Sequence, residues 1–406
     1  MNYQIFLAVF LLIFFVNTKA SAAGIEIDDE RATPEYWMAK NPDGDKLLFT
    51  YRQIDRMNAE MLEKDDYAAD LKNFPQSLTP NNLRAKIEKL TEDVRLVGTQ
   101  PVMANRNLDK LEYDVGVLYA VTTERVNVRL LPQPPTGERS DKVQGTALDP
   151  AEPVAVLWES KDGKFSFVQA KYYFGWVNKN SLAFTDRETW LTYVEPEKFL
   201  VVTTNKKFVN VNGKIILFQM GAKIPLQNSA MQNNYWTARL PVIENNRLKE
   251  FPVKILNDDN VSDDYLQPTT NNFIRQSFKF LGNIYSWGGL ENSVDCSAFV
   301  QDVYRSMGIF IPRDADRQAG CMPILSVFNN VTRAERVDIV RRAPTGALLL
   351  IPKHVMMKLG NDGNGTPIII HAVGGLTRKV IVSDLNFSSA SGLLMIDRLT
   401  DITYPR

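Results

Sequence analysis

Histidine is scarce in this chain: His354 and His371 are the only two among 406 residues, and cysteine is limited to Cys296 and Cys321. A zinc site is the alternative use of Cys296 with the two histidines, but no His-Glu-x-x-His and no paired Cys-x-x-Cys accompanies them. No metal and no cofactor is expected. Net charge is also lacking, with 47 basic and 47 acidic residues. That balance gives no reason to expect a nucleic acid or an anionic membrane as partner. Long apolar runs are missing as well. The longest, Ile5 to Val16, is too short to span a bilayer, and Ala20-Ser21-Ala22 follows it with the small residues signal peptidase accepts.

A signal peptide over residues 1–22 is therefore expected, although no basic residue precedes the apolar run. No cysteine follows the run closely, which argues against a lipid anchor. Removing that segment takes away one charge, Lys19, leaving 46 basic against 47 acidic residues, a formal charge of −1. A secreted or periplasmic, monomeric protein without an integral membrane segment is the expectation. The mature length suits two to four domains, and 44% apolar content is enough for real cores.

Residues 23–115 read as a helical arm. Ile54, Met57 and Met61 fall at i, i+3, i+7, and Leu83, Ile87 and Leu90 at i, i+4, i+7 behind Thr79-Pro80-Asn81. Such narrow stripes imply short helices lying on something larger. From 116 to 260 the pattern changes to short β runs with a weak internal echo. Val121-Thr122-Thr123 then Val126-Asn127-Val128 recurs as Val202-Thr203-Thr204 then Val209-Asn210-Val211. Two tandem small barrels, 116–190 and 191–260, are expected. Tyr172, Tyr173 and Trp176 read as barrel core and rim. Residues 261–406 begin with helices and end in strands, the order of an α+β domain.

Asp295 is a good N-cap, which puts Cys296 in the first turn of a helix where unpaired N–H groups and the macrodipole favour negative charge. That placement biases the thiol toward thiolate and aims the Cys296 N–H at a developing oxyanion, worth about 3 kcal/mol per donor. A disulfide to Cys321, worth roughly 3 kcal/mol, is the competing use of the sulfur. The midpoint between the histidines falls between Asp362 and Gly363, a strong two-residue turn. Such a hairpin pairs Asn361 with Asn364 and Gly360 with Gly365, and sets His354 directly across from His371. One imidazole, assigned to His354, takes the thiol proton, and His371 orients it. Tyr285, on the loop entering the nucleophile helix, is a candidate phenolic donor.

These residues resemble the NlpC-type peptidoglycan peptidases of papain-like fold. The likeness rests on Tyr285-Ser286-Trp287-Gly288-Gly289, Asp295-Cys296-Ser297-Ala298-Phe299-Val300, Ile311-Pro312-Arg313-Asp314, His354-Val355 with Leu359-Gly360, and Ile370-His371-Ala372. Arg125 to Pro132 and Phe174-Gly175-Trp176-Val177 resemble the ends of bacterial SH3-like domains. The resemblance implies a multidomain protein: a helical arm, two all-β SH3-like barrels and an α+β papain-like cysteine peptidase domain. It implies a Cys296-His354-His371 triad, with Tyr285 near the oxyanion and Asp295 and Ser297 holding substrate. The implied substrate is a wall stem peptide, cut between γ-D-glutamate and a diamino acid, with a free N-terminal L-alanine selected in related members. Gly346-Ala347 stands where the family usually has Gly-Asp, Ala315 where many members have serine, and the histidines sit further apart than is common. A wall-binding protein without turnover, and an acyltransferase or transglutaminase using the same thiol, are the other readings of these residues.

Overall fold

The computed structural model describes residues 26–92, 100–138, 140–388 and 392–405; the leader expected at residues 1–22 lies outside them. Among the described residues, no helix is long and apolar enough to cross a membrane.

Both apolar stripes of the arm are helical, and they serve different cores. Helix α1 (Tyr51–Lys64) starts at Thr50, whose hydroxyl and the Gln53 side chain form a reciprocal capping box. It buries Ile54, Met57 and Met61 in the core of the C-terminal domain. Helix α2 (Pro80–Lys89) is capped by Thr79 with Pro80 in its first turn, and it buries Leu83 and Ile87 against the β region. Each fully buried aliphatic side chain contributes roughly 1.5–3 kcal/mol. The arm thus bridges the two halves of the molecule.

The β region holds a nine-stranded sheet. Seven of its strands lie between Leu118 and Thr185 and close the first barrel, ending in β1 (Leu182–Thr185). Val128, Val154, Val168 and Val177 are buried in its interior with Tyr173, while Phe167, Phe174 and Trp176 are fully buried on the other face of its strands, in the core shared with α2. The expected second barrel is not a separate body. Its long hairpin, β2 (Tyr235–Glu244) and β3 (Arg247–Leu256), extends the first sheet through a parallel pairing of Arg247 with Phe184 on β1. The rest is a small three-stranded sheet and a hairpin, and the strand Val261–Ser262 runs past the expected boundary at 260. One core unites Trp176 and Phe167 with Leu200, Phe218 and Leu240.

The C-terminal domain opens with α3 (Thr270–Phe278), capped by Thr269, and α4 (Cys296–Arg305). Behind α4 stands a six-stranded antiparallel sheet. Four successive neighbours in it are β4 (Leu348–Ile351), β5 (His354–Asn361), β6 (Pro367–Val373) and, at the sheet edge, β7 (Lys379–Asp384). Phe299, Val300 and Val303 of α4 are fully buried in the core that includes these strands. Past the end of α4, Gly308 takes a left-handed conformation (φ 72°) and the Ile309 N–H returns to the Tyr304 carbonyl, which stops the helix.

Arg305, at the far end of α4, joins three parts of the chain. It donates to Asp149 Oδ2 of the first barrel at 2.7 Å and to the Met220 carbonyl of the second β region at 2.8 Å. Asp149 is itself buried and also accepts from Arg125 and from the Gln219 N–H.

Candidate active site

Asp295 caps α4 as its sequence position implies, accepting the Ala298 N–H at 2.8 Å, so Cys296 is the first residue of the helix. Cys296 is buried, and the Val355 N–H of β5 is near enough to favour its thiolate form. Because Val355 follows His354, the thiol lies beside the strand carrying the first histidine. Cys296 and Cys321 are both free, and the Cys321 thiol donates to the Lys64 carbonyl on α1 instead.

The histidines are neighbours, by a different register from the one expected. The turn is a five-residue loop, Asp362–Thr366, held by the Asp362 carboxylate accepting the N–H groups of Asn364 and Thr366. Asn361 therefore pairs with Pro367, and Gly360 with Ile368, instead of Asn364 and Gly365. A bulge at Leu359 then resets the pairing to Met357 with Ile370. Gly360 lies against the Trp37 indole, where an added Cβ would come within 3.0 Å. Continuing that register sets Met356 opposite His371, so His354 is a diagonal neighbour on the same sheet face. The rings still meet, with His354 Nε2 3.0 Å from His371 Nδ1. His371 is fully buried, its Nε2 lies 3.2 Å from the Ser383 hydroxyl on β7, and the Phe387 ring packs edge-on against it. Both ring nitrogens of His371 are thus engaged by protein, which leaves none for a zinc ion shared with Cys296.

Electrostatics reverse the expectation of a resting thiolate. Burial, and next the Asp295 carboxylate, push the Cys296 thiol up to about 12, outweighing the N–H groups of Val355 and Ser297. Burial draws His354 down to about 4, with Arg398 adding to the effect, and holds His371 well below its usual value. At neutral pH the pair is thiol and neutral imidazole.

Asp295 and Ser297 do not present free groups to a ligand. Asp295 accepts from Ala298, from the Gly288 N–H at 2.9 Å and bidentately from Arg313 at 3.1 and 2.8 Å. The Ser297 hydroxyl donates to Asp295 and accepts from Arg313. Both residues hold the nucleophile's surroundings in place. Asp314, next to Arg313, caps no N–H of the helix it precedes, and burial raises it to about 6. Tyr285 is half-buried, and burial, with the charges of Cys296 and Asp295 next, holds its phenol far above the ordinary range. It therefore remains a proton donor near the sulfur.

The first barrel forms one wall of the site, which sequence reasoning did not assign to residues. Trp287 Nε1 donates to the Gln144 carbonyl at 3.0 Å, Gln144 Nε2 donates to the Gly288 carbonyl at 3.0 Å, and Arg313 Nε donates to Thr146 Oγ1 at 2.7 Å. The Lys142 ammonium sits 3.2 Å from the centre of the Trp287 ring. Gly288 adopts φ 60°, and a Cβ there would lie 2.5 Å from Gln144 Cγ, so glycine is required for the barrel to dock. Arg313 could have been suspected from a lone arginine in the apolar stretch Ile309 to Pro312. The barrel contacts leave no comparable local signal.

Residues 282–391 match the NlpC/P60 family, and residues 131–178 match an SH3 domain of the SH3b1 type. An NlpC/P60 endopeptidase from Photobacterium damselae subsp. piscicida superposes with a TM-score of 0.71 at 17% identity, over 94% of this chain and 99% of that one. An NlpC/P60 family protein from Bacillus cereus ATCC 10987 does so with a TM-score of 0.51 at 18% identity, over 71% of this chain and 99% of that one. A comparison with curated proteins finds no match. The chain is therefore a multidomain α+β protein in which a segment matching an SH3b domain precedes a C-terminal, papain-like segment matching the NlpC/P60 family.

Proposed function

We propose that this chain is a secreted cysteine endopeptidase acting on peptidoglycan stem peptides at the bond between γ-D-glutamate and a diamino acid. The observation that carries it is the thiol at the start of α4, beside the strand of His354, which is hydrogen-bonded to His371. The match to the NlpC/P60 family, whose members are generally peptidoglycan hydrolases of the cysteine type, supports the substrate class. The apolar run Ile5 to Val16 with Ala20-Ser21-Ala22 supports export.

In the proposed reaction the Cys296 sulfur bonds to the peptide carbonyl carbon as its proton passes to His354. The Cys296 N–H and the Tyr285 hydroxyl meet the oxyanion. Collapse breaks the C–N bond, His354 returns its proton to the leaving amine, and water hydrolyses the thioester by the same route.

Mass spectrometry of purified wall peptides after incubation tests this reading. Two fragments summing to the parent plus water mean hydrolysis, a product carrying an added amine means transfer, and unchanged peptides mean binding alone. Thiol alkylation should stop the reaction and a chelator should not. Tyr285→Phe is expected to lower kcat by about 10²-fold, the usual cost of an oxyanion donor, with the melting temperature little changed.

His354 gains a proton only as the pH falls toward 4, so kcat should hold until then and drop below. A kcat that falls near pH 6.5 would contradict the burial of His354.

A further inference from the structure

We infer that Ser383 is a positioning residue that fixes the tautomer of the imidazole pair, so that His354 keeps a bare nitrogen for the thiol. It rests on His354 being the base proposed above. The three side chains form a staircase over adjacent antiparallel strands. His371 on β6 pairs with Ile381 on β7, and Ser383, two residues on, is its diagonal neighbour on the same face. His354 stands in the same relation to His371 across β5 and β6. Ser383 is fully buried, as is His371.

The Ser383 hydroxyl has one hydrogen and two neighbours, His371 Nε2 at 3.2 Å and the Asp384 carbonyl oxygen at 3.0 Å. The carbonyl can only accept, so the hydrogen goes there. Oγ then offers lone pairs alone to His371, whose hydrogen must sit on Nε2. A neutral imidazole carries one N–H, so His371 Nδ1 is bare and accepts from His354 Nε2 at 3.0 Å. That bond uses the only hydrogen of His354, leaving its Nδ1 bare. Burial keeps both rings neutral, so the one-hydrogen rule applies to each.

The reversed chain would send the serine hydrogen to His371 Nε2, the His371 hydrogen to His354 Nε2, and the His354 hydrogen to Nδ1. No lone pair would then remain for the thiol proton. In the assigned chain His354 takes that proton on Nδ1 and goes on donating from Nε2, so no hydrogen downstream has to move during a turnover. The sequence signal is a lone hydroxyl in the strand run Val380-Ile381-Val382-Ser383, at the alternation that shares the face of His371.

Because the chain has only two histidines, ¹⁵N spectra of the ring nitrogens test this directly, with each ring assigned by a single histidine variant. In the wild type both rings should show a protonated Nε2 and a bare Nδ1. In Ser383→Ala, His371 loses its acceptor, and the ring signals should move toward values averaged over both tautomers. The kcat should fall about 10- to 100-fold, the usual range for a partner behind a functional side chain, with KM nearly unchanged. Ser383→Thr keeps the hydroxyl and should retain the wild-type ring pattern, which separates the hydrogen bond from packing. A hydrogen on His354 Nδ1 in the wild type, or unchanged tautomers in a folded Ser383→Ala, would overturn the assignment. The spectra read the rings whether or not any peptide is cut. Correct tautomers with intact wall peptides would therefore refute the hydrolase and leave the role of Ser383 standing.

Discussion

Replacing Cys296 with alanine is expected to lower kcat/KM on wall peptides by at least about 10⁴-fold while leaving the fold intact. The size follows from the role of the sulfur: without it no thioester forms, and only binding and the oxyanion donors remain. Cys321 cannot substitute, because its thiol is turned to the Lys64 carbonyl on α1. Stability should change by less than about 2 kcal/mol, since the change deletes one atom and removes a poorly solvated polar group. Adding His354→Ala to this variant should cost little more, because the two side chains act as a unit. Steady-state kinetics with a melting curve check all three statements. Residual activity above about one per cent would mean that another group attacks.

Arg313→Met is expected to be the most destabilising single substitution near the site, at about 3–5 kcal/mol, because it strands a buried carboxylate. Asp295 cannot turn to water: it is held between the Ala298 and Gly288 N–H groups, and its side chain is only 9% exposed. The same change cuts the bond to Thr146 and so loosens the barrel wall. Asp295→Asn combined with Arg313→Met should recover part of the loss, since the buried charge is gone.

The pH dependence has a definite sign. Although burial alone would raise Asp295, Arg313 and the two N–H groups hold it below the ordinary carboxylate value. Its contribution is therefore present above the unfolded pKa, about 3.9, and is lost as the pH falls through the lower folded value. In the Arg313 variant that carboxyl no longer resists protonation. The gap in melting temperature between variant and wild type should be wide at pH 7 and narrow in acid. An unchanged gap would show that the ion pair is not the cause.

Local signals carried much of the layout. Asp295 as cap, Cys296 as first helical residue and the two arm stripes depend on neighbours within one or two turns, and each is found where periodicity placed it. The histidine pairing was legible only in outcome. Symmetry about Asp362-Gly363 was offset by a longer turn and a bulge beside Gly360, whose neighbour Trp37 is more than 300 residues away in the chain. The thiol's charge state was missed for a related reason: a helix start favours an anion, but depth and the adjacent carboxylate oppose it more strongly. The joining of the second β region to the first sheet left no signal, because the echo near Val202 shows strands, not which sheet they join.

The contact of Arg305 with Asp149 and the Met220 carbonyl limits how such a protein can be rebuilt. One guanidinium at the blunt end of α4 completes acceptors on two other modules, so trimming the front half would leave it Asp302 of its own helix alone and uncover Gly288 at the opposite end. The catalytic unit is not a cassette that recombination can pass freely between scaffolds. Any swap of the β modules has to bring its own match for that arginine.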